Sequence, residues 1–528
     1  MREDWIGIEL DEITVFALGG DWGKAEDFQD ENFDAAYCIR GAEFKNWDVD
    51  FGKTASLRKL KKNSIEKRNL VLGDILVEIS GGGPEQPVGR TEVISQSVLN
   101  NFNGSKLVCT NFLRLIRLSK FANSEFTNWY LKYFYSTGKI TDYQAGSNNL
   151  RNLKFNKYLT IGIPIASIPE QRAIATKIEE LFSDLDKGIA DLKTAQDQLK
   201  VYRQAVLKKA FEGELTKEWR EQQQDLPTAD ELLEQIKEER KKHYEQQLEN
   251  WKQAVKAWEE NGNEGKKPGK PKFLKELEEF TDEDLFELHE LDSYWNWVKV
   301  DKLCQYDQNA MKAGPFGSSL KKAFYTESGY KIYGQEQVIS GDYKFGNYYV
   351  NNEKYQSLIN CAVKPHDVLI SLVGTVGKVL ILPEDCEAGL INPRLVKFSL
   401  NDFYSEQFFK YFFESGFIKS IYKLKNHGTT MDVLNLGIIK ELPFPLCSKK
   451  EQHQIVQEIE SRLSVCDKLE ESITESLEKA KALRQSVLKK AFEGTLLSKE
   501  EIAACKSAPD YEPASVLLEK IKAEKRKK

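Results

Sequence analysis

A chain of 528 residues, 41% of them hydrophobic, can bury more than one core, because single cores rarely grow beyond about 250 to 300 residues. No stretch approaches the roughly 18 to 20 apolar residues of a membrane-spanning helix and the start lacks the order of a secretion signal, so we expect a cytoplasmic protein without membrane contact. The formal net charge of −6 argues, taken whole, against a nucleic-acid binder, but the acidic excess lies in Glu-rich helical stretches, while residues 1–168 are about neutral and residues 301–450 weakly basic.

The first predicted domain spans residues 1–168. Short β-branched and aromatic runs such as DILVEI and NFLRLIRL alternate there with Gly and Pro, which indicates a compact, sheet-rich mixed α/β domain. The basic run from Leu57 to Arg68 is either an edge that faces phosphates or a solvated face.

A long helix is predicted over residues 169–225, since Glu, Lys, Gln, Ala and Leu replace Gly and Pro. Its apolar residues recur in alternating steps of four and three, the spacing of a heptad seam. The second helix, residues 450–497, repeats this seam with interruptions. The predicted seam residues are Ile174, Ile178, Leu181, Leu185, Leu192, Leu199, Tyr202, Val206, Ile455, Ile459, Leu469, Ile473, Leu483 and Val487.

Residues 226–290 are predicted to be a charged helical linker that ends in a flexible loop, NGNEGKKPGKPK, which would act as a hinge. A second sheet-rich domain follows over residues 291–449. A charged helical tail, residues 498–528, comes after the second long helix.

The chain repeats itself. RQAVLKKAFEG at Arg203 to Gly213 returns as RQSVLKKAFEG at Arg484 to Gly494, and the same offset of 281 aligns the Glu-Gln pairs at 170–171 and 451–452 as well as Asn111 with Asn392. LLEQIKEERKK from Leu232 also resembles LLEKIKAEKRKK from Leu517. Two copies of one unit, each a globular domain followed by a long helix, therefore make up the chain.

Each long helix needs a partner, because about forty residues at about 1.5 Å each form a rod of about 60 Å. The other copy of the helix fits this requirement. The alternative is a helix that packs on its own domain, but one small domain does not cover so long and narrow a seam.

Catalytic motifs are missing from the sequence. There is no GxxxxGK[ST] phosphate loop, the nearest candidate, GTVGKV at Gly374 to Val379, has the wrong spacing, and Asn392-Pro393-Arg394 does not substitute for the tetrapeptide of amino-methyltransferases. The eight cysteines and five histidines have no spacing typical of a metal site, a disulfide framework or a triad. We therefore expect no metal, no cofactor and no catalytic residue in this chain.

The order of domain, helix, domain and near-identical helix resembles the specificity subunits of type I restriction-modification systems over essentially the whole chain. The most specific marks are the junctions IGIPIASIPEQ (Ile161 to Gln171) and ELPFPLCSKKEQ (Glu441 to Gln452) and the helix ends KKAFEG. GPFGSSLKK (Gly314 to Lys322), GTVGKV and HGTT (His427 to Thr430) are similar to the family's target-recognition domain. In the first domain, SGGGPEQPVGR and GSNN stand where the second domain has GTVGKV and HGTT. No counterpart of GPFGSSLKK is evident near the start of the first domain.

The resemblance implies an α+β fold: two target-recognition domains alternate with two long helices that pair as an antiparallel coiled coil, with an internal pseudo-two-fold repeat. Each domain would read one half of an interrupted, asymmetric sequence in double-stranded DNA, and the helices would set the gap. The implied partners are two methyltransferase subunits, which use S-adenosylmethionine, and restriction and translocation subunits, which use ATP and Mg²⁺. A helical scaffold without DNA binding, and a related system that cuts on both sides of its site, are the alternatives.

Candidate DNA contacts are polar residues in or beside Gly-rich loops, where phosphates and base edges are usually met. Gly374, Gly377 and Gly428 could equally serve backbone turns. The candidates are Lys321, Lys322, Gln335, Lys378, Arg394, Thr429 and Thr430 in the second domain, and Arg90, Arg114, Ser147 and Asn148 in the first.

Overall fold

The computed structural model describes residues 2–83, 86–146, 150–274, 277–286, 288–316, 318–373, 375–425 and 434–526. The chain forms two compact units, and each combines parts that are distant in sequence. Unit 1 contains Met1–Thr194 and Ile473–Lys528, and unit 2 contains Ala195–Ser472. None of the described helices is long and apolar enough to cross a membrane.

The first globular domain holds twelve of the described strands and six short or medium helices. In chain order they are β1 Ile6–Glu9, α1 Leu10–Ile13, β2 Thr14–Gly19, β3 Phe33–Ile39, α2 Trp47–Asp50, β4 Ser56–Lys61, α3 Lys62–Arg68, β5 Ile75–Glu78, β6 Ser80–Gly82, β7 Thr91–Val93, α4 Gln96–Asn101, β8 Leu107–Cys109, β9 Leu113–Leu118, α5 Ser124–Ser136, β10 Gln144–Ala145, β11 Arg151–Leu153, α6 Phe155–Tyr158 and β12 Gly162–Ile165.

The remaining elements include two long helices and several shorter ones. In chain order the remaining elements are α7 Ile168–Phe211, α8 Lys217–Glu221, α9 Ala229–Glu260, α10 Asp282–Phe286, β13 Asn296–Lys299, β14 Met311–Ala313, β15 Tyr330–Tyr333, α11 Gln335–Ser340, β16 Tyr349–Val350, α12 Asn352–Ser357, β17 Ala362–Val363, β18 Val368–Ser371, β19 Val379–Ile381, β20 Gly389–Ile391, β21 Leu395–Phe398, α13 Glu406–Glu414, α14 Gly416–Lys425, α15 Leu436–Lys440, β22 Pro443–Leu446, α16 Lys449–Glu493, α17 Lys499–Lys506 and α18 Ala514–Arg526.

The two domains share the arrangement of three sheets, and the first domain has in addition a three-stranded sheet with the order β10-β11-β6. In unit 1, β1 pairs with β12, four antiparallel strands follow the order β2-β9-β5-β7, and a smaller sheet has the order β4-β3-β8 with β3 parallel to β8. In unit 2, β13 pairs with β22, the four-stranded sheet has the order β14-β21-β18-β19, and β16-β15-β20-β17 contains the corresponding parallel pair, β15 and β20. The internal repeat seen in the sequence is therefore a repeat of the fold.

The Glu-Gln pair at the start of each long helix ties that helix to its own domain. Gln171 accepts a hydrogen bond from the backbone N–H of Asn123 and donates to the carbonyl of Ala166, both at 2.8 Å. Gln452 makes the same two contacts, with Ser405 N–H at 2.8 Å and the Cys447 carbonyl at 2.9 Å. Asn123 and Ser405 are the N-caps of α5 and α13. The shared junction motif thus satisfies buried backbone groups at equivalent places in both copies.

Each unit also contains the end of the other copy's helix. In unit 1, Ile174 and Ile178 of α7 share a buried cluster with Leu488 and Phe492 of α16. In unit 2, Val206 and Phe211 of α7 lie in one core with Ile455 and Ile459 of α16. The start of one helix meets the end of the other in both units, so the pairing is antiparallel, as predicted.

Matching ion pairs join the two helices in each unit. In unit 1, Arg484 contacts Asp186 at 2.6 Å and its guanidinium lies 4.5 Å from the ring centre of Phe182. In unit 2, Arg203 contacts Asp467 at 2.6 Å. Arg203 and Arg484 are the first residues of the repeated RQ(A/S)VLKKAFEG segments, and the sequence repeat also aligns the two aspartates.

Three predicted seam residues are exposed, although the Tyr202 side chain still hydrogen-bonds Arg462 of the facing helix. Tyr202, Leu469 and Leu483 are 45%, 48% and 53% exposed. Arg203 and Arg484 directly follow Tyr202 and Leu483 in the sequence, and their long side chains reach carboxylates on the facing helix. An ion pair therefore lies where the spacing of apolar residues predicts Tyr202 and Leu483. The other predicted positions are buried or partly buried: Ile174, Ile178, Leu181, Leu185, Leu192, Leu199, Val206, Ile455, Ile459, Ile473 and Val487.

The helical segments after the two long helices are also equivalent. Leu232 and Ile236 of α9 are buried in the core of unit 2, and Leu517 and Ile521 of α18 are buried in the core of unit 1. Helix α9 begins with a capping box at Thr228. The segment predicted as a hinge follows α9 and contacts it, since the indole N–H groups of α9 tryptophans donate to the Pro268 and Gly265 carbonyls at 3.0 and 3.2 Å.

Candidate nucleic-acid interface

Two equivalent loops, one in each domain, follow the first strand of the four-stranded sheet. Gly20 follows β2 and its N–H donates to the Leu113 carbonyl at 3.1 Å, while Gly314 follows β14 and donates to the Leu395 carbonyl at 2.9 Å. A Cβ on Gly20 would lie 2.1 Å from the Thr110 carbonyl oxygen, so only glycine fits there. The same reasoning applies to Gly314.

Asn392 takes the place of Thr110 in the second domain, and a Cβ on Gly314 would lie 1.8 Å from its carbonyl oxygen. The structural match therefore differs by one residue from the sequence alignment, which paired Asn392 with Asn111. The expectation that the first domain has no counterpart of GPFGSSLKK was wrong. Its counterpart is Gly20-Asp21-Trp22-Gly23, which shares the pattern glycine, any residue, aromatic, glycine with Gly314 to Gly317. That four-residue pattern was the available signal.

Trp22 lies at the wall of a cleft in the first domain with a volume of about 1090 Å³. Phe112, 47% exposed, also lines this cleft. Polar and charged side chains also line the cleft, namely Arg40, Lys45, Glu78, Ser80, Gln86, Arg90, Thr110 and Asn111. Aromatic rings interleaved with cations and amides are a combination that can meet both base edges and phosphates.

Arg90 lines the cleft but is held by the protein. Its guanidinium forms two hydrogen bonds with the Glu78 carboxylate, at 2.8 and 2.6 Å, and a third with the Gly41 carbonyl at 3.1 Å. The hydrogen bonds with Glu78 are the main reason that the pKa of Arg90 is raised, against an opposing effect of burial. Arg90 thus shapes the cleft wall with most of its donors already used.

Arg114 lies in β9, where its guanidinium is 4.3 Å from the ring centre of Phe155. This side chain is half-buried and packs on an aromatic ring of its own domain. Its placement indicates a packing role more than an open phosphate contact.

Gln335 lies in a buried network of the second domain. Its amide donates to the Ser371 hydroxyl at 2.9 Å and to the Val373 carbonyl, while its oxygen accepts from Arg394 at 3.5 Å. Gln335 is 9% exposed, whereas Arg394 is exposed. Gln335 therefore positions Arg394, and Arg394 is the member of this pair that a ligand can reach.

Lys321 and Lys322 are exposed at the end of the loop that begins at Gly314. Within the described residues no ion pair occupies either ammonium group, so both charges face solvent. Lys378 is exposed as well, and its ammonium lies 3.9 Å from the Glu414 carboxylate. The predicted contacts Ser147, Asn148, Thr429 and Thr430 lie outside the described residues.

The basic run of the first domain forms β4 and α3. Strand β4 is an edge strand of its sheet, and exposed lysines follow it at 61 and 62. Two arginines of the run have partners inside the domain: Arg58 donates to the Trp22 carbonyl at 3.1 Å and Arg68 to the Gly19 carbonyl at 2.9 Å. These two hydrogen bonds therefore hold the Trp22 loop in place, and the basic run also exposes positive charge.

Among the described side chains, no group of three His, Cys, Asp or Glu could hold a metal ion. The candidate interface consists of exposed cations, aromatic rings and amides on loops at equivalent ends of two sheets. Such a surface can bind a polyanion and distinguish base edges.

Comparison with known proteins identifies similar chains. Residues 295–479 match the type I restriction modification DNA specificity domain. The chain is 22% identical to the StySPI type I restriction enzyme specificity subunit of Salmonella potsdam, over 99% of this chain and 96% of that protein, and 24% identical to the EcoDI specificity subunit of Escherichia coli, over 76% and 77%. The family resemblance inferred from the sequence is confirmed.

Two solved structures share the fold. A chain solved in work on complex assembly and conformational transition of the type I R-M system aligns with a TM-score of 0.61 at 15% identity, covering 94% of this chain and 99% of that one. The HsdS subunit of Thermoanaerobacter tengcongensis aligns with a TM-score of 0.52 at 15% identity, covering 94% and 98%. The predicted fold class is confirmed by these neighbours.

Proposed function

We propose that this chain, which belongs to the family of type I restriction-modification specificity subunits, is the non-catalytic DNA-reading subunit of such an enzyme. Each globular domain reads one half of an interrupted, asymmetric sequence in double-stranded DNA. The chain itself carries no cofactor. S-adenosylmethionine belongs to two methyltransferase subunits, and ATP and Mg²⁺ belong to the restriction subunits.

One observation carries this proposal: two domains with corresponding four-stranded sheets present different side chains at equivalent loops. The loop after β2 has Asp21 and Trp22 where the loop after β14 has Pro315 and Phe316. Two readers of identical half-sites would need the same side chains, because base recognition depends on the donors, acceptors and apolar groups at each position. Different chemistry on a common scaffold is what an asymmetric site requires.

The long helices fit the two remaining tasks, spacing and docking. Helices α7 and α16 run without interruption for 44 and 45 residues, so they can hold a fixed gap where a flexible tether could not. In unit 2 they also expose apolar side chains: Val201 is 70%, Val465 56% and Leu469 48% exposed. Apolar groups on a charged helix surface are typical of a protein interface, and we assign this face to a methyltransferase subunit.

The deciding experiment is co-expression of the full chain with the methyltransferase subunit encoded beside it, followed by single-molecule mapping of N6-methyladenine in the host DNA. We expect a stable complex and one methylated, interrupted, asymmetric motif. A folded chain that forms no complex and yields no motif would contradict the proposal and favour the helical scaffold.

Salt dependence tests the interface residues directly. Binding of the complex to a duplex that carries the mapped motif should weaken as salt rises, and Lys321→Ala/Lys322→Ala should reduce the slope of log K against log salt by about 2, because each phosphate contact contributes about 0.9. Lys479→Ala/Lys481→Ala, two exposed lysines of α16, is the control and should leave the slope unchanged. If the slope of log K against log salt were the same for both variants, the two loop lysines would not belong to the DNA interface.

A further inference from the structure

The geometry of the two equivalent loops points to a matched pair of specificity-determining residues: we infer that Phe316 and Trp22 each contact the nucleotides of one half-site. Phe316 serves the second domain and Trp22 the first. This inference rests on the proposed function and adds the apolar contact to the polar ones already described.

Phe316 is 90% exposed, the most exposed large apolar side chain in the described part of the chain. A single exposed apolar residue is ordinary on a protein surface, so exposure alone indicates nothing. The surrounding backbone is what sets Phe316 apart. Gly314 is fixed against the carbonyls of Leu395 and Asn392, and Ser319 N–H closes a turn on the Phe316 carbonyl at 2.7 Å. The contacts of Gly314 and Ser319 therefore fix the backbone on both sides of Phe316, while its ring stays exposed.

The neighbouring charges indicate which ligand the ring meets. Lys321 and Lys322 are exposed beyond the same turn. A free aromatic ring next to uncompensated cations suits a nucleotide, whose phosphate attracts the cations and whose base offers an apolar face or a thymine methyl group to the ring. An apolar protein partner would leave both ammonium groups without a counter-charge.

Trp22 occupies the equivalent loop position in the first domain, but different contacts hold its ring. The Arg58 guanidinium lies 4.3 Å from the centre of the Trp22 ring system and covers one face of it, while the indole contributes to the wall of the domain 1 cleft. Asp21, the residue between Gly20 and Trp22, fixes the turn by accepting a hydrogen bond from Gly23 N–H at 3.0 Å and another from the Ser64 hydroxyl at 2.6 Å. Trp22 also packs against a buried cluster that includes Leu60 and Ile65, so it meets its ligand only through the part of the ring that lines the cleft.

The test measures binding of the complex to a duplex carrying the mapped motif, with single base-pair changes introduced into each half. Phe316→Ala and Trp22→Ala should each weaken binding about tenfold, equivalent to about 1.4 kcal/mol. Base-pair changes in one half-site should then reduce the binding affinity of the Phe316→Ala protein less than they reduce that of the wild type. Changes in the other half-site should likewise reduce the affinity of Trp22→Ala less than that of the wild type. Replacing thymine with deoxyuridine in each half tells a methyl contact from a contact with a base face.

Phe345→Ala is the matched control, because Phe345 is 49% exposed in the same domain and its described hydrogen bonds involve only its backbone N–H and carbonyl. It should bind like the wild type, and both Phe345→Ala and Phe316→Ala should show the wild-type thermal unfolding curve. Trp22→Ala removes packing on a buried cluster, so its binding is measured below the temperature at which this variant begins to unfold. Wild-type binding by both loop variants, or coupling of both to the same half-site, overturns the inference while the proposed function stands. Failure of the wild-type complex to prefer the motif over random duplex overturns the proposed function itself.

Discussion

Replacing Arg220 of α8 should test how strongly the segment that follows α7 is attached to the start of α16 in unit 2. The Arg220 and Glu451 side chains are 5% and 1% exposed, and their charged atoms lie 2.8 Å apart. Arg220 also donates to the Gly213 carbonyl at 2.8 Å. In Arg220→Ala the buried Glu451 carboxylate would keep the Thr216 hydroxyl, at 2.7 Å, but lose its counter-charge. Breaking a buried pair in this way costs about 3 to 5 kcal/mol.

Urea unfolding of the full chain followed by tryptophan fluorescence is the assay, since Trp295 lies 5.7 Å from the Arg220 guanidinium. At about 1 to 3 kcal/mol per molar urea, the expected loss lowers the midpoint of the unit 2 transition by about 1 M or more. Adding Glu451→Gln to the variant should recover part of the loss, because a neutral amide is cheaper to bury than an unpaired carboxylate. A loss below about 1 kcal/mol, or no recovery with Glu451→Gln, would refute the reasoning.

Three further outcomes are expected. Burial raises the pKa of Glu92 to about 7 despite a lysine partner, so the native protein binds a proton more tightly than the unfolded chain. The free energy of unfolding should then fall as pH rises from about 4.5 to 8. In urea unfolding, the free energy of Glu92→Gln should gain on the order of 3 kcal/mol relative to the wild type over that pH range. A constant difference between the two proteins would contradict this prediction. A double-mutant cycle on Arg484 and Asp186, both part-exposed, should give a coupling of about 0.5 to 1 kcal/mol in thermal or urea unfolding, and zero coupling would contradict the ion pair. Gly314→Ala should destabilise by about 1 to 3 kcal/mol, because its Cβ meets a backbone oxygen, whereas Gly19→Ala, which meets open space, should be near neutral; equal effects would contradict the steric argument.

Self-similarity and periodicity explain what could be predicted from sequence. A near-identical segment at two places requires two copies of a unit, and a heptad over some forty residues requires a long helix with a partner. The Glu-Gln junctions were recognised as motifs, but their role became clear only when Gln171 and Gln452 were seen to satisfy buried backbone groups. Periodicity did not reveal that Tyr202 and Leu483 stay exposed, because it does not register that a neighbouring arginine reaches a carboxylate on the facing helix.

The candidate interface was harder to predict for a physical reason. A polar residue in a glycine-rich loop can face solvent or its own core, and composition does not distinguish the two. Gln335 and Arg90 proved to be held by the protein, whereas Arg394 and Lys321 are exposed.

The sequence by itself determined the repeat, the two kinds of structure in each copy, the antiparallel helix pair and the family. Only the tertiary structure decided that each compact unit takes the end of the other copy's helix, and that Trp22 and Phe316 stand at equivalent loops. Both depend on contacts between residues far apart in the chain, such as Gly314 with Asn392. Local pattern sets which element a segment forms, but the partners of that element are chosen by burial and hydrogen bonding across the whole fold.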